Sequence, residues 1–279
     1  MQVYFYAKSG HTIGLEQTKK CAAIASALSE FDPILCTSDF RAGAFAKELL
    51  GVRRYVNIDV IRNMHNIMQR RDILLYNTDE TNKEMIKGMD EFCSLLYNVE
   101  EIKEPIVDTS LYTKNDNPSI EKTIFFGDDD YYNQFIGLVE NNKDKYDIDL
   151  LMGHYFFLGN EKIFTNHFAN IIDEEEYVET IQNSRYLLTA SLQSALEAIS
   201  CGNNPVLFTR EDKKYDEALI EKLNIPVISE ESLENIINKF NEICENYPTL
   251  NKIEFANFDT IKAQIQGKVE AFAKAMGTE

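Results

Sequence analysis

Four polar side chains stand close together in the stretch from Asn183 to Thr209, at a spacing suited to an anionic ligand. Ser191, Gln193 and Ser194 lie in a short turn between a predicted strand and a predicted helix. Hydroxyl and amide groups in such a turn, together with the N–H groups of a helix N-terminus, form a phosphate site. Glu197 follows Ser194 by three residues, so we expect it to face the same side from the first helical turn.

The same spacing also has a purely structural interpretation. In a capping box, a serine at the N-cap and a glutamate three residues later bond to the first N–H groups of a helix. Ser194 and Glu197 fit that pattern as well. From the residues alone, this stretch is therefore either a ligand site or an ordinary strand–helix–strand element with a capped helix.

A second candidate lies in the loop after the first predicted strand. His11 follows Gly10 at the carboxyl end of that strand, where a parallel sheet presents its ligand-binding groups. Histidine is the side chain that exchanges protons near neutral pH, so His11 is a candidate base for an acceptor hydroxyl or a donor to a phosphate. A loop histidine without a chemical role fits the sequence equally well.

Three consecutive aspartates, Asp128 to Asp130, follow Gly127 at the end of another predicted strand. Carboxylates are suitable ligands for Mg²⁺. Three neighbouring residues at a strand end cannot all converge on one ion, however, and aspartate is common in turns for local reasons. We therefore expect no metal and no cofactor, and we expect Gly127 to let the backbone approach a ligand.

The elements that position these residues alternate between strand and helix. This order predicts an α/β protein of two Rossmann-like domains with mainly parallel sheets. Glu100 to Ser119 contains two prolines and interrupts the alternation, so it is the predicted linker. We predict domains over 1–118 and 119–279, with a last helix, Phe255 to Met276, able to pack back on the first domain. Further helices are predicted over Val60–Gln69 and, with undefined ends, Phe156–Phe168.

Composition limits the class of protein. The chain has 279 residues, 44% hydrophobic and 27% charged, with a net charge of −18 that argues against a nucleic-acid partner. No apolar run is long enough for a membrane helix, and the first residues have no secretory signal. Five scattered cysteines predict reduced thiols in the cytoplasm.

A family resemblance favours the ligand interpretation. The run S-x-x-S-A-x-E-A from Ser191 to Ala198, followed by Gly202-x-x-Pro205, resembles the donor-sugar signature of GT-B glycosyltransferases. The resemblance implies that Glu197 holds the ribose of a nucleotide sugar and that the serine turn holds its pyrophosphate. It also implies two Rossmann-like domains, a ligand in the cleft between them, and no catalytic metal.

Within GT-B proteins the chain resembles the family of UDP-sugar hydrolases of pseudaminic acid biosynthesis, with one important departure. That family has Gly-x-Gly-His-x-x-Arg after its first strand; here Gln17 stands at the histidine position and Lys20 at the arginine position. Glutamine cannot shuttle protons near neutral pH. In the first domain, the resemblance implies binding residues at Gly10 and Lys20 and catalytic positions at His11 and Gln17.

The sequence therefore predicts a protein that binds a UDP-sugar and acts as a glycosyltransferase or sugar-nucleotide hydrolase. The alternative is a non-catalytic nucleotide-sugar-binding protein that has lost the family's histidine. The sugar, the acceptor and the stereochemical course cannot be read from the residues.

Overall fold

The computed structural model of the protein describes residues 1–154 and 161–277. Contacts along the chain divide it into two compact units. Unit 1 contains Met1–Gly10, Leu15–Asp108 and the chain from Phe255 onward; unit 2 contains His11–Gly14 and Thr109–Glu254. This grouping divides the chain after Asp108, and the predicted domain boundary at residue 118 stays a prediction.

Unit 1 is built on a parallel sheet. Its strands in chain order are β1 (Val3–Ala7), β2 (Ile34–Thr37), β3 (Arg54–Asn57), β4 (Ile73–Asn77) and β5 (Leu95–Asn98). They lie in the order β3-β2-β1-β4-β5, with Val3 opposite Ile73. All residues of β1 and β4 are buried, as expected for central strands covered on both faces.

Three helices connect the strands of unit 1: α1 (Glu16–Ala27), α2 (Phe40–Leu49) and α3 (Lys83–Phe92). Between β3 and β4, where a helix was predicted over Val60–Gln69, the chain forms a shorter 3₁₀ helix, Ile61–Asn66. Asp59 Oδ1 accepts hydrogen bonds from Val60 N at 2.9 Å and Asn63 Nδ2 at 2.8 Å. Such local side-chain bonds compete with a continuous helix.

Unit 2 has its own parallel sheet. Its strands are β6 (Ile120–Phe125), β7 (Asp149–Leu151), β8 (Ile171–Ile172), β9 (Ser184–Thr189), β10 (Asn204–Phe208) and β11 (Val227–Ile228). Their order is β11-β10-β9-β6-β7-β8, and every neighbouring pair is parallel. Two units with separate parallel sheets confirm the predicted α/β class with two Rossmann-like domains.

The α-helices of unit 2 within the described residues are α4 (Gln134–Glu140), α5 (Glu161–Phe164), α6 (Tyr177–Asn183), α7 (Leu192–Ser200), α8 (Glu217–Leu223) and α9 (Leu233–Glu245). Part of the helix predicted over Phe156–Phe168 lies outside the described residues. An apolar core between the sheet and α4, α5 and α9 includes Phe135, Phe164 and Phe240, all buried.

The last helix, α10 (Asp259–Met276), groups with unit 1 although it follows unit 2 in sequence. It begins four residues later than predicted, because Asn257 Oδ1 accepts from Asp259 N at 2.7 Å and fixes the chain just before the helix. Ile261 and Ile265 are buried. In the part of the chain that the structure describes, no helix has the length and apolar character needed to cross a membrane.

Candidate functional site

The candidate site lies at one edge of the unit 2 sheet. From β6 the chain builds outward to β7 and β8, then returns to β9 and builds outward to β10 and β11 on the other side. The direction of building therefore reverses between the neighbouring strands β6 and β9. Open α/β sheets bind ligands outside the carboxyl ends of the strands at such a point. Gly127 follows β6 there, and Ser191 follows β9.

Ser191 starts the helix that points away from this edge. It is the N-cap of α7, and its Oγ accepts from Ser194 N at 3.2 Å. Thr189 Oγ1 in turn accepts from Ser191 N at 3.0 Å. The capping box built on Ser194 and Glu197 is therefore wrong, because the helix begins three residues earlier than that interpretation requires.

Ser194 and Glu197 belong instead to a buried polar cluster. The Tyr177 hydroxyl bonds to Ser194 Oγ at 2.7 Å and donates to Glu197 Oε2 at 2.5 Å. Gln193 Nε2 donates to Glu197 Oε1 at 3.2 Å. All four residues are buried, with Glu197 only 1% exposed. Each carboxylate oxygen of Glu197 thus accepts a hydrogen bond from a buried side chain, which fixes its orientation.

Tyr177 did not emerge from the sequence as a site residue. It is the first residue of α6, directly after three glutamates, and it reaches Glu197 across twenty positions of sequence. Burial, followed by the negative charge of Glu197, raises the pKa of Tyr177 well above its ordinary value of 10.0. The phenol therefore keeps its proton and acts as a donor. The only signal in the sequence was a single aromatic residue directly after an acidic run, at the start of a helix.

The three aspartates after Gly127 turn in different directions. Asp128 accepts from His154 N at 2.9 Å, and Asp130 accepts from Gln134 N at 2.8 Å and Phe135 N at 3.0 Å, at the start of α4. Burial is the main cause that raises the pKa of Asp130. The carboxylates of Asp128 and Asp130 thus accept hydrogen bonds from backbone N–H groups in two different places and do not converge on one point, in agreement with the expectation that aspartate occurs here for structural reasons.

Asp129 joins a buried ion-pair cluster. Its Oδ1 lies 2.7 Å from Arg210 Nη1 and its Oδ2 lies 3.0 Å from Lys213 Nζ. Arg210 also donates to Asp212 through Nε at 3.0 Å and Nη2 at 2.7 Å, and its guanidinium lies 5.1 Å from the centre of the Phe126 ring. This cluster links the loop after β6 to the loop after β10, beside the candidate site.

Burial would lower the pKa of Arg210, but its hydrogen bond to Asp212 and the charges of Asp129 and Asp212 raise that pKa, so the guanidinium stays charged. Burial would likewise raise the pKa of Asp212, yet the hydrogen bond and charge of Arg210 lower it. The pairing therefore holds both partners ionised.

Two glycines next to Asp129 have a backbone conformation and surroundings that disfavour any side chain. Gly127 has a φ of +132°, and a Cβ there would lie 2.8 Å from Asp129 Oδ1. Gly14 has a φ of +75°, and its Cβ would lie 3.2 Å from Asp129 Cβ. Positive φ and close approach both favour glycine. Gly127 thus brings its backbone next to the ion pairs. The predicted close approach of this backbone to a ligand stays a prediction.

The first-loop candidates are divided between the two units. His11 belongs to unit 2, half-buried, with its ring centre 6.4 Å from that of the half-exposed Tyr131. Gly10 belongs to unit 1 and has a φ of +143°. Gln17 and Lys20 are half-buried on α1, and Gln17 Oε1 has no hydrogen-bond partner among the described residues. The structure therefore places His11 with the unit that holds Ser191, Gln193, Ser194 and Glu197.

Comparison with known proteins shows the fold. No protein-family model and no curated protein matches the chain. A Listeria monocytogenes protein assigned as a UDP-N-acetylglucosamine 2-epimerase matches it with a TM-score of 0.50 and 11% identity, over 88% of this chain and 89% of that one. E. coli heptosyltransferase WaaC with ADP-2-deoxy-2-fluoro heptose gives a TM-score of 0.49 and 10% identity, over 88% and 100%.

The first of these similarities agrees with the two parallel sheets, and the chain has a GT-B-like fold. At 11% identity this similarity concerns the fold and not the activity. The resemblance to the pseudaminic acid hydrolases stays a prediction.

Proposed function

We propose that unit 2 binds a nucleotide sugar, specifically a UDP-sugar. The observation that carries the proposal is the meeting of Gly127 and the N-terminus of α7 at the carboxyl ends of β6 and β9. A helix N-terminus attracts phosphate through its N–H groups and its dipole. The name of the Listeria protein with the similar fold points to the same ligand class.

In this proposal each part of the ligand has its own partner. The diphosphate lies against the first turn of α7, beside Ser191 and Ser194, and Gly127 admits it close to the backbone. The ribose hydroxyls donate to Glu197, whose carboxylate is oriented by Tyr177 and Gln193. Hydrogen bonds to a buried, fixed carboxylate are strong because the acceptor carries a charge.

We further propose that the protein acts on this ligand as a glycosyltransferase or a sugar-nucleotide hydrolase, in the cytoplasm. An acceptor hydroxyl or water attacks the anomeric carbon while the bond to the diphosphate oxygen breaks. The dipole of α7 stabilises the charge that develops on the leaving UDP. His11, which belongs to unit 2, takes the proton of the attacking hydroxyl.

A second candidate function is binding without catalysis. The residue that favours it is Gln17, because glutamine cannot accept the proton that the resembling family transfers with histidine. The two functions make the same prediction for UDP binding and different predictions for turnover.

Calorimetric titration with UDP tests the binding step. Wild type should bind saturably, and Glu197→Ala should weaken UDP by about 1–3 kcal/mol, the value of charge-assisted hydrogen bonds. Glu197→Gln keeps the size of the side chain and removes its charge, so it tests the role of the carboxylate with less risk of unfolding the protein. Glu179→Ala, an exposed glutamate on α6, is the control and should bind like wild type. Equal affinities for all variants would remove Glu197 from the nucleotide site.

Release of UDP from UDP-sugars tests the chemical step. His11→Ala should reduce turnover by about 10²–10⁴-fold, the usual effect of losing acid–base assistance, and should leave UDP affinity unchanged. Unchanged turnover would remove His11 from the mechanism. If wild type binds UDP-sugars but releases no UDP, the binding function gains support, and Gln17→His should then introduce hydrolysis.

A further inference from the structure

A cavity of about 230 Å³ lies in unit 1, between α3 and the 3₁₀ helix Ile61–Asn66. Its walls are mainly apolar and include four methionines, two from each side: Met64, Met68, Met85 and Met89. Unbranched thioether side chains adapt to ligands of variable shape. The cavity is formed only by unit 1 residues and is separate from the candidate site of unit 2.

The cavity follows from how one face of the unit 1 sheet is covered. The connection from β3 to β4 contains six residues of 3₁₀ helix, too few to cover the face that a full α-helix would cover. On the other side, α3 presents Met85, Met89 and Phe92 at helical spacing, yet none of its ten residues is buried. An amphipathic helix normally buries its apolar stripe against the core. Here Met85, Met89 and Phe92 are only half-buried: they pack against the unit 1 core and also line the cavity.

The apolar cavity has a positively charged side chain at its exposed side. Arg62 and His65 line the cavity, and both residues are exposed. Among the described residues, no carboxylate lies within ion-pair distance of the Arg62 guanidinium. Arginine prefers carboxylate and phosphate partners, which it binds with two parallel N–H donors. An apolar interior with a cation at the exposed side is complementary to a molecule with a hydrocarbon chain and an anionic end.

We propose that this cavity binds a single-chain amphiphile, an alkyl carboxylate or alkyl phosphate, with the chain among the methionines and the anionic end at Arg62. The site is independent of the proposed nucleotide site and does not require it. The methionine side chains move to fit the chain, and the head group remains in contact with water.

Titration of the full chain with dodecanoate and dodecyl phosphate, below their micelle concentrations, tests the site and shows which head group it prefers. At least one of the two should bind saturably with one molecule per chain, and dodecyltrimethylammonium, with the same chain and the opposite charge, should bind more weakly. Affinity for octanoate, decanoate and dodecanoate should rise about fourfold per methylene, the value of apolar burial.

Two variants connect binding to the cavity. Gly88 lines it, and a Cβ there meets no atom within 4 Å, so Gly88→Leu can place its side chain in the cavity without a backbone clash. Excluding two methylenes should weaken binding by roughly fifteenfold. Gly267→Leu, at an equally open helical glycine of α10, should bind like wild type. Arg62→Gln should weaken dodecanoate by roughly three- to fivefold, the value of an exposed ion pair, and leave neutral dodecyl maltoside unchanged.

Three results would overturn the proposal. The first is the absence of saturable binding by either anionic probe. The second is equal binding by Gly88→Leu and Gly267→Leu, provided that both keep the wild-type unfolding temperature. The third is a dimer in sedimentation that Gly88→Leu dissociates, because it would assign the apolar surface to a second copy of the chain. UDP binding plays no part in any of these measurements.

Discussion

Arg210→Met removes a charge from the most enclosed ion-pair cluster described in unit 2. The Arg210 side chain is only 2% exposed and contacts both Asp129 and Asp212. Methionine preserves much of the apolar stem but none of the hydrogen bonds, and it removes the guanidinium that lies over the Phe126 ring. The substitution therefore leaves Asp129, whose side chain is 10% exposed, with Lys213 as its remaining cation in the cluster.

The expected loss of stability follows from the burial of each partner. Removing one member of a fully buried ion pair costs about 3–5 kcal/mol, because the remaining charge stays desolvated. Lys213 still compensates Asp129, and Asp212 is 34% exposed and regains water. We therefore expect a decrease in the free energy of unfolding of about 2–3 kcal/mol, below the fully buried range.

Arg185 provides a matched control in the same unit. It also pairs with a carboxylate, Glu121 at 3.4 Å, and lies 5.4 Å from the centre of an aromatic ring, but it is 54% exposed. Arg185→Met should cost about 0.2–1 kcal/mol, as exposed pairs do. Urea unfolding followed by circular dichroism, with hydrogen exchange to resolve unit 2, compares the variants. If Arg210→Met costs no more than Arg185→Met, burial does not determine the strength of these pairs and the reasoning fails.

The cluster should also make stability depend on pH. A carboxyl whose pKa is lower in the folded protein than in the unfolded one stabilises the fold above its unfolded pKa, and this contribution is lost as pH falls through the folded pKa. Arg210 lowers the pKa of Asp212 below the ordinary 3.8. The difference in unfolding free energy between wild type and Arg210→Met should therefore be constant near neutrality and shrink below about pH 3.8. A difference that grows in acid would contradict this sign.

Two further substitutions test the site at single positions. Gly127→Ala should destabilise the protein by about 1–3 kcal/mol, because an alanine is strained at the positive φ of this position. Gly137→Ala, at an open position within α4, should instead stabilise the protein by about 0.5–1 kcal/mol. Urea midpoints that move in the same direction for both variants would show that the backbone conformation at Gly127 does not require glycine. Tyr177→Phe removes a donor from buried Glu197 and should cost about 1–3 kcal/mol, more than Tyr247→Phe, whose hydroxyl donates to a neutral carbonyl 2.6 Å away.

The central strands were predictable because their residues are mainly apolar on both faces. Val3–Ala7 is apolar throughout, Ile73–Asn77 is apolar up to its last residue, and every one of these residues is buried. Helix ends were less predictable, because several residues near each end can cap. Ser191 and Ser194 are both acceptable N-caps by type, and only the folded chain selects Ser191.

The partners within the candidate site could not be predicted in the same way. Glu197 and the serine turn are marked by local spacing, but Tyr177 and Arg210 reach their partners across twenty and 81 positions of sequence. Such contacts depend on which strands become neighbours, and no local pattern encodes that order. In the sequence, Arg210 is an ordinary charged loop residue after a predicted strand. Its contact with Asp129 becomes visible only in the structure, where the loops after β6 and β10 lie side by side.

The discontinuity of unit 1 affects how the chain can fold during synthesis. Ribosomes release a chain from its N-terminus at roughly 5–20 residues per second, and early domains generally fold first. Unit 1 cannot follow that order, because Ile261 and Ile265 of α10 are buried parts of it and are translated after the whole of unit 2. The surface that receives α10 therefore waits roughly 8–30 s after residue 108 at these rates. During that time it is exposed apolar surface on a nascent chain, the kind of surface that chaperones bind.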